Sequence, residues 1–492
     1  MTYANTSIET YLSDCKEEFS QILSDVLMER NQDAHAVEAS IFKKLIQLGF
    51  ILMQLYFANQ NKGDYGETID TARGVAKRGR TSTKSYFSIF GKIKVVRYLY
   101  HIGNDSFAPL DLLLNLPVRC YSYYLSEFAN LLNINGAYRN ASELLKKFFG
   151  LNISISALET ISGESADCYE DYYDLKGKLP KPERKGKRKV VEFDGKGVPM
   201  IKEEAAKIVG RPGKGEKKQK KKEALVGVSF EVESNVRSAE EVSGNLVYPE
   251  KKEDKHETNK PAKAQNIRYI ASVEKPKREV MEEIYKEVKN ENFRDEPLVC
   301  VMDGALILWN LFKDVFINIE NKVLILDIIH VLEYIWIIAH VKHKEGSDGG
   351  KKYVYEKLLL ILQGKVASYI MELQSEMLNE KWKKSQKEKF KKVITYLKNH
   401  KSYMKYDLYL SEGYPIGSGV VESACSHVVK DRMEISGARW GIGGSESILR
   451  LRSLAKSRDW DEYWDFFTAQ ARENAFFSDE YMLANVQAKL AA

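Results

Sequence analysis

Two apolar runs, Leu298–Met302 and Lys322–Leu326, each stop at an aspartate, Asp303 and Asp327. The segment between them has the length and pattern of a helix. Short runs rich in Val, Ile and Leu, joined in this way, predict strands of a sheet covered on both faces. Ligands of such sheets collect at the carboxyl ends of the strands, which is where both aspartates fall.

The rest of the chain can be arranged around that pair. Upstream, Val190–Phe193 reads as a strand ending on Asp194, with Gly195 and Gly197 allowing a turn. Further strands are expected over Ala224–Glu233 and near Arg268–Val273, then a helix over Lys277–Asn290. Downstream, Tyr353–Gln374 and Glu380–His400 read as helices with dense Lys/Glu faces. Pro415, Gly417 and Gly419 break that pattern, and a helix restarts near Gly419–Val420 carrying Glu422, Lys430 and Arg432. Glu446–Ser457 and an aromatic segment after it are expected to pack at the end.

Residues 1 to about 60 predict two helices separated by Asn31–His35. Alternating runs Ser85–Phe90 and Lys92–Tyr100 around Gly91 predict a β-hairpin, with Lys92, Lys94 and Arg97 near one face. Asn140-x-x-Glu143 and Ser156-x-x-Glu159 have capping-box spacing, and Gly150 can end the first of two short helices. Leu144, Leu145, Phe148 and Leu151 form the apolar stripe of that helix, and Leu158 and Ile161 begin the next. The proportions suit a helix-turn-helix, but pattern alone favours an ordinary helical hairpin.

Composition excludes several classes. With 44% hydrophobic and 29% charged residues among 492, the chain is a globular protein rather than a disordered one. Cys15, Cys120, Cys168, Cys300 and Cys425 lie far apart with no CxxC pair, so neither a disulfide framework nor a zinc cluster is expected. The amino-terminal stretch is polar and acidic, unlike a signal peptide. The most apolar long window, Val323–Val341, holds Asp327, His330, Glu333 and His340, which argues against a membrane span. A cytoplasmic location follows as the expectation. Net charge is +6, but residues 180–222 carry 16 Lys/Arg against 6 Asp/Glu, a local +10 that leaves about −4 for the remainder. Lys217, Lys218 and Lys220 lie in that run, which reads either as a solvated loop or as a contact for phosphate backbone.

Three acids stand out by position: Asp194 and Asp303 at strand ends, and Glu422 on a late helix. Two aspartates and a glutamate suit hard divalent cations such as Mg²⁺. Two such ions activate a water or a 3′-hydroxyl and stabilise the leaving oxygen of an in-line displacement at phosphorus. The chain has 69 acids, however, and a strand-end Asp is often only a turn former. Asp327 and His330, one helical turn apart, can pair with each other. Residue pattern alone leaves the second ligand open between Asp303 and Asp327. His340 and His343 share a helical face without an evident third ligand.

At these residues the chain resembles insertion-sequence transposases of the ISKra family, which are Mutator-like DDE transposases. The matching pieces are FDGKGVPM at Asp194, VMDGALILWNL at Asp303, LDIIHVLEYIW after it, and YPIGSGVVESACSHVVKDRMEISGARW at the end. The resemblance implies an α+β chain in which a helical amino-terminal DNA-binding region precedes a ribonuclease-H-like mixed sheet interrupted by an all-α insertion. Its divisions are 1–80 helical, 81–137 hairpin and helices, 138–180 helix-turn-helix-like, 181–345 catalytic core, 346–410 insertion, and 411–492 core helix and tail. It implies Asp194, Asp303 and Glu422 as the catalytic acids holding two Mg²⁺ or Mn²⁺ ions. Asp327 and His330 then form a supporting Asp-x-x-His motif. Lys430, Arg432 and Arg439, with Lys217, Lys218 and Lys220, are the expected DNA contacts. Partners would be terminal inverted repeats, target DNA and further copies of the chain, at the nucleoid. A metal-dependent nuclease on the same fold and a domesticated, non-catalytic DNA-binding protein are the rival expectations.

Overall fold

The computed structural model describes residues 7–28, 33–71, 73–179, 186–208, 220–249 and 263–478. It is a mixed α+β chain in two compact units, residues 1–172 with 459–492, and residues 173–458.

The first unit begins with helices Ile8–Met28 and Ala34–Ala58, as the periodicity predicts, tied by an ion pair between Lys44 and Asp25. Four antiparallel strands follow in the order β1 (Thr68–Thr71), β2 (Gly74–Ser88), β3 (Gly91–Ile102) and β4 (Asp105–Phe107). The expected hairpin is the β2–β3 pair, longer than its alternating core because β1 and β4 extend it at the far end. Helix Ala34–Ala58 is the one described helix long and apolar enough to cross a membrane. Its carboxyl-terminal part packs on the sheet, where Phe57 is buried with Ile93, Val95 and Leu110 and Phe50 and Met53 pack beside them, while Phe42, Leu45, Leu52 and Tyr56 are exposed.

Helices Tyr138–Phe149 and Ile155–Ser165 form the two short elements predicted around Gly150, which is left-handed at φ 68°. Their starts differ from the capping-box reading. The first begins after Ala137, leaving Asn140 inside the helix, and the second is capped by Ser154, whose hydroxyl accepts the Ala157 N–H. Two serines two residues apart, Ser154 and Ser156, compete for one cap, and the upstream one wins. Of the predicted stripe, Leu145 and Leu151 are buried but Leu144 and Phe148 are exposed.

The second unit is built on a five-stranded sheet. Its strands are β5 (Arg188–Pro199), β6 (Lys221–Val232), β7 (Gln265–Ser272), β8 (Leu298–Met302) and β9 (Lys322–Leu326), in the spatial order β7-β6-β5-β8-β9. β6 runs antiparallel to both neighbours, while β5, β8 and β9 are parallel. Helices Lys277–Val288 and Leu306–Val315 make the crossovers that parallel pairing requires. Phe193, Phe312 and Phe316 meet between sheet and helix, each ring centroid 6.3 Å or less from the next.

One boundary differs from the sequence reading. β5 does not stop at Asp194 but pairs with β6 through Pro199, so Gly195 and Gly197 lie inside a strand. A Cβ on Gly195 would sit 2.0 Å from the Glu223 carboxylate, so the glycine admits a close neighbour rather than a turn. Pairing of β5 with β8 does end at Phe193 opposite Met302. The edge strand β9 is covered by Tyr406 and Tyr409, whose hydroxyls donate to the Leu326 and Leu324 carbonyls at 2.7 and 3.1 Å.

Helix Ile328–Lys342 leaves β9, and helices Asp348–Leu362, Val366–Met377, Lys384–His400 and Tyr406–Ser411 follow with no strand among them. Chain Gly419–Met433 then runs as one helix with a π-turn over Cys425–Lys430. Such turns often accompany functional sites.

A carboxylate cluster at the ends of β5, β8 and β9

Asp194 follows Phe193, and Asp303 follows Met302, so the last register pair of two parallel neighbours hands both acids to the same end of the sheet. They line one cleft together with Gly195, Glu223, Lys277 and Gly304. Asp194 is half-buried, and its Oδ1 accepts the Gly195 N–H at 2.7 Å while Oδ2 accepts the Cys425 thiol at 3.4 Å. Burial pushes the Asp194 carboxyl above its ordinary range; the Gly195 and Cys425 hydrogen bonds oppose this, and the Asp303 charge adds to it. Burial also pushes the Cys425 thiol up, so it remains a donor. Asp303 Oδ1 accepts the Ala305 N–H at 3.0 Å, and its backbone carbonyl accepts the Trp309 indole N–H at 2.7 Å. Its carboxylate is therefore aimed by a tight turn, itself tied to a buried aromatic.

Asp327 is set differently. It is fully buried and caps helix Ile328–Lys342. Oδ1 accepts from Ile329 N–H at 3.0 Å and Ser418 N–H at 3.4 Å; Oδ2 meets His330 Nδ1 at 2.8 Å and the Ser418 hydroxyl at 2.9 Å. All four lone-pair directions of the carboxylate are taken. The hydrogen bond that His330 donates to Asp327 is the main reason its imidazole is raised from 6.5 to about 9, with Asp303 and Glu333 adding to it and desolvation opposing, which favours the cation at neutral pH.

Glu422 stands exposed on the late helix and its carboxyl is raised, first by desolvation and then by the Asp327 charge, while His330 opposes. Ligand atoms of Asp327, His330 and Glu422 all lie within 4.8 Å of one another. The expected trio is thus joined in two halves. Asp194 faces Asp303, Glu422 faces Asp327 and His330, and Asp194 acts on Glu422 as well. Asp303 is not among the charges that raise Glu422.

The oxygens of Asp327 are already engaged by Ile329, Ser418 and His330, and the Nδ1 of His330 is engaged by Asp327. Asp194 and Asp303 present carboxylates to the cleft and Glu422 is exposed on its helix; oxygen donors of this kind suit Mg²⁺ or Mn²⁺. Asp327 and His330 stand beside Glu422.

One acid escaped the sequence reading. Glu192 lies two residues before Asp194 on the same strand face, fully buried. Its Oε2 accepts the Val421 N–H at 2.8 Å, one residue from Glu422, while Oε1 has no hydrogen-bond partner. Burial drives its carboxyl well above the ordinary range, which favours the protonated form. The signal was present: an acid at an inward position of an apolar run, in phase with a strand-end aspartate.

Of the expected DNA contacts, Lys220, Lys430 and Arg439 are exposed. Arg432 is not a surface residue: it is 2% exposed, with its guanidinium 4.6 Å from the Trp440 ring centre, so it packs the helix instead of meeting phosphate. The π-turn rotates it inward. Lys217 and Lys218 lie outside the described residues. His340 and His343 lie beside Trp336 and Tyr353 as packing residues. No family model and no curated protein matches the chain.

Proposed function

We propose that the chain is a DNA transposase of the kind its ISKra resemblance implies, acting at terminal inverted repeats and target DNA by metal-dependent phosphoryl transfer. The observation that carries this reading is the pair Asp194 and Asp303, delivered side by side by parallel β5 and β8 into one cleft. The sheet order, with β6 alone antiparallel, supports a ribonuclease-H-like core. The run of helices between residues 348 and 411 supports an all-α insertion.

Two Mg²⁺ or Mn²⁺ ions, when bound by Asp194, Asp303 and Glu422, would supply the Lewis acidity that activates a water or 3′-hydroxyl and stabilises the leaving oxygen. The protein's own part is positioning. Ala305 N–H and Gly195 N–H orient the two aspartates, Ser418 and Asp327 hold His330, and the imidazolium compensates the carboxylates around it. Direct transesterification needs no covalent protein–DNA step.

An excision and strand-transfer assay tests the reading. Asp194→Asn, Asp303→Asn and Glu422→Gln should each lower turnover by about 10³-fold, about 4 kcal/mol in the barrier, with DNA binding intact. Full activity in any one of them removes that acid from the site. An active Asp303→Asn beside an inactive, folded Asp327→Asn would move the second ligand to Asp327. Cleavage without strand joining would make the protein a nuclease.

A further inference from the structure

We propose that helix Lys384–His400, with the turns flanking it, is a backbone track for duplex nucleic acid that leads to Asp303. The inference rests on the nucleic-acid reading above and names a surface for it that the sequence motifs do not contain.

Residues 381–405 carry ten lysines against a single acid, Glu388. Nine of the ten are exposed and Lys387 is half-buried. None of them forms an ion pair among the described residues, in contrast to nearby Lys342 and Lys357, which pair with Glu376 and Glu372 at 2.7 Å. A merely solvated helix face mixes its signs, because like charges three or four residues apart destabilise a helix by a few tenths of a kcal/mol per pair. This helix accepts that repulsion along its length, at Lys384/Lys387, Lys387/Lys391 and Lys389/Lys392 among others. A single-signed row of this kind is matched by a polyanion.

The geometry favours nucleic acid over a lipid surface. Helices that bind bilayers do so through an exposed apolar face. Here Phe390, Val393, Ile394 and Leu397 are buried in the protein, so only the lysines are presented. Lys384, Lys391 and Lys398 recur at seven-residue spacing on one side, about 10 Å apart along the axis. The helix is about 25 Å long, and duplex DNA offers a charge about every 1.7 Å over that length. The far end of the row reaches the site. His400 Nε2 lies 3.1 Å from the Gly304 carbonyl and Nδ1 lies 2.8 Å from the Tyr396 carbonyl. Tyr396 stacks on Tyr334 and closes over Gly304, the residue after Asp303.

The test uses the full chain in chelator, a fluorescent duplex of arbitrary sequence, and a salt titration. Lys384→Gln/Lys391→Gln/Lys398→Gln should lower the slope of log affinity against log salt by about 3, and affinity by about 10²-fold near 0.1 M salt, whatever the sequence. Lys344→Gln/Lys351→Gln/Lys352→Gln, which removes equal charge from exposed neighbouring positions, should leave the slope as in the wild type. An unchanged slope in the first variant overturns the track, as does an equal fall in both. Loss of binding to phosphatidylserine vesicles with duplex binding intact also overturns it, in favour of a membrane surface. The two readings separate cleanly. A wild type that cuts and joins DNA while the first variant keeps its slope refutes the track alone. A wild type that binds through the track but never cuts or joins with Mg²⁺ refutes the transposase alone.

Discussion

Glu192 and His330 show how a residue's charge state is set by what surrounds it. Glu192 is buried and its carboxyl is raised by that burial, so an amide of the same shape should replace it at little cost. Glu192→Gln is expected to change stability by less than about 1 kcal/mol, because a carbonyl oxygen still accepts the Val421 N–H. Glu192→Ala removes that acceptor beside Glu422 and opens a cavity, at a cost of about 2–4 kcal/mol in chemical denaturation. A Gln variant as damaged as the Ala variant would mean that the acid is ionised in the working protein. His330 has the opposite sense. Its folded-state value of about 9 exceeds the ordinary 6.5, so the stabilisation from its carboxylate neighbours is complete below pH 6.5 and lost as pH rises through 9. In chelator, the melting temperature of the wild type should fall across that window, and His330→Gln should lack the step. A step of equal size in His330→Gln would assign the titration to another group.

At the scale of elements, the site depends on where strands hand over to helices. β8 passes into helix Leu306–Val315 through Asp303, Gly304 and Ala305, and helix Lys384–His400 closes over that turn. A Cβ on Gly304 would stand 2.4 Å from the Tyr396 ring, which its stack on Tyr334 keeps from retreating. Gly304→Ala should therefore cost about 1–3 kcal/mol and lower cleavage more than tenfold by displacing Asp303. Adding Tyr396→Ala makes room, so the double variant should be more active than Gly304→Ala alone, a coupling that independent sites would not show. The other handover, Asp327 capping helix Ile328–Lys342, explains why a strand-end aspartate need not be a ligand. Its oxygens are consumed by the helix it starts, the imidazole a turn later, and Ser418.

For the molecule as a whole, every acid of the site belongs to the unit of residues 173–458, although Asp194 and Glu422 stand far apart in the chain. Parallel pairing brings Asp194 to Asp303, and the helix Gly419–Met433 returns to the same sheet end through the Val421–Glu192 bond. Charge is distributed with similar economy. Ten lysines, none in an ion pair among the described residues, gather on and beside a helix that touches the site, while pairs such as Lys357–Glu372 occur on the helices beside it. The local +10 of residues 180–222 is partly internal to the fold: Arg188 pairs with Glu296, Lys189 is buried against Glu287, and Lys221 pairs with Glu434.

Local pattern determined a good deal of this. The five strands of the second unit, the hairpin of the first unit, the left-handed Gly150 and the handover aspartates are all written in short-range periodicity and punctuation, which depend on near neighbours only. Even so, local signals misjudged the end of β5, because a strand's length is set by the partner that pairs with it. What tertiary structure decided is which acids meet. Asp303 stands with Asp194 because their strands are parallel neighbours. Asp327 and His330 stand with Glu422 because Ser418 bridges them, and Arg432 turns inward because a π-turn adds a residue to its helix. Burial raises the Glu192 carboxyl, which no sequence spacing announces, whereas His330 is raised chiefly by Asp327 one turn away, a pairing that the spacing already offered and that burial opposes.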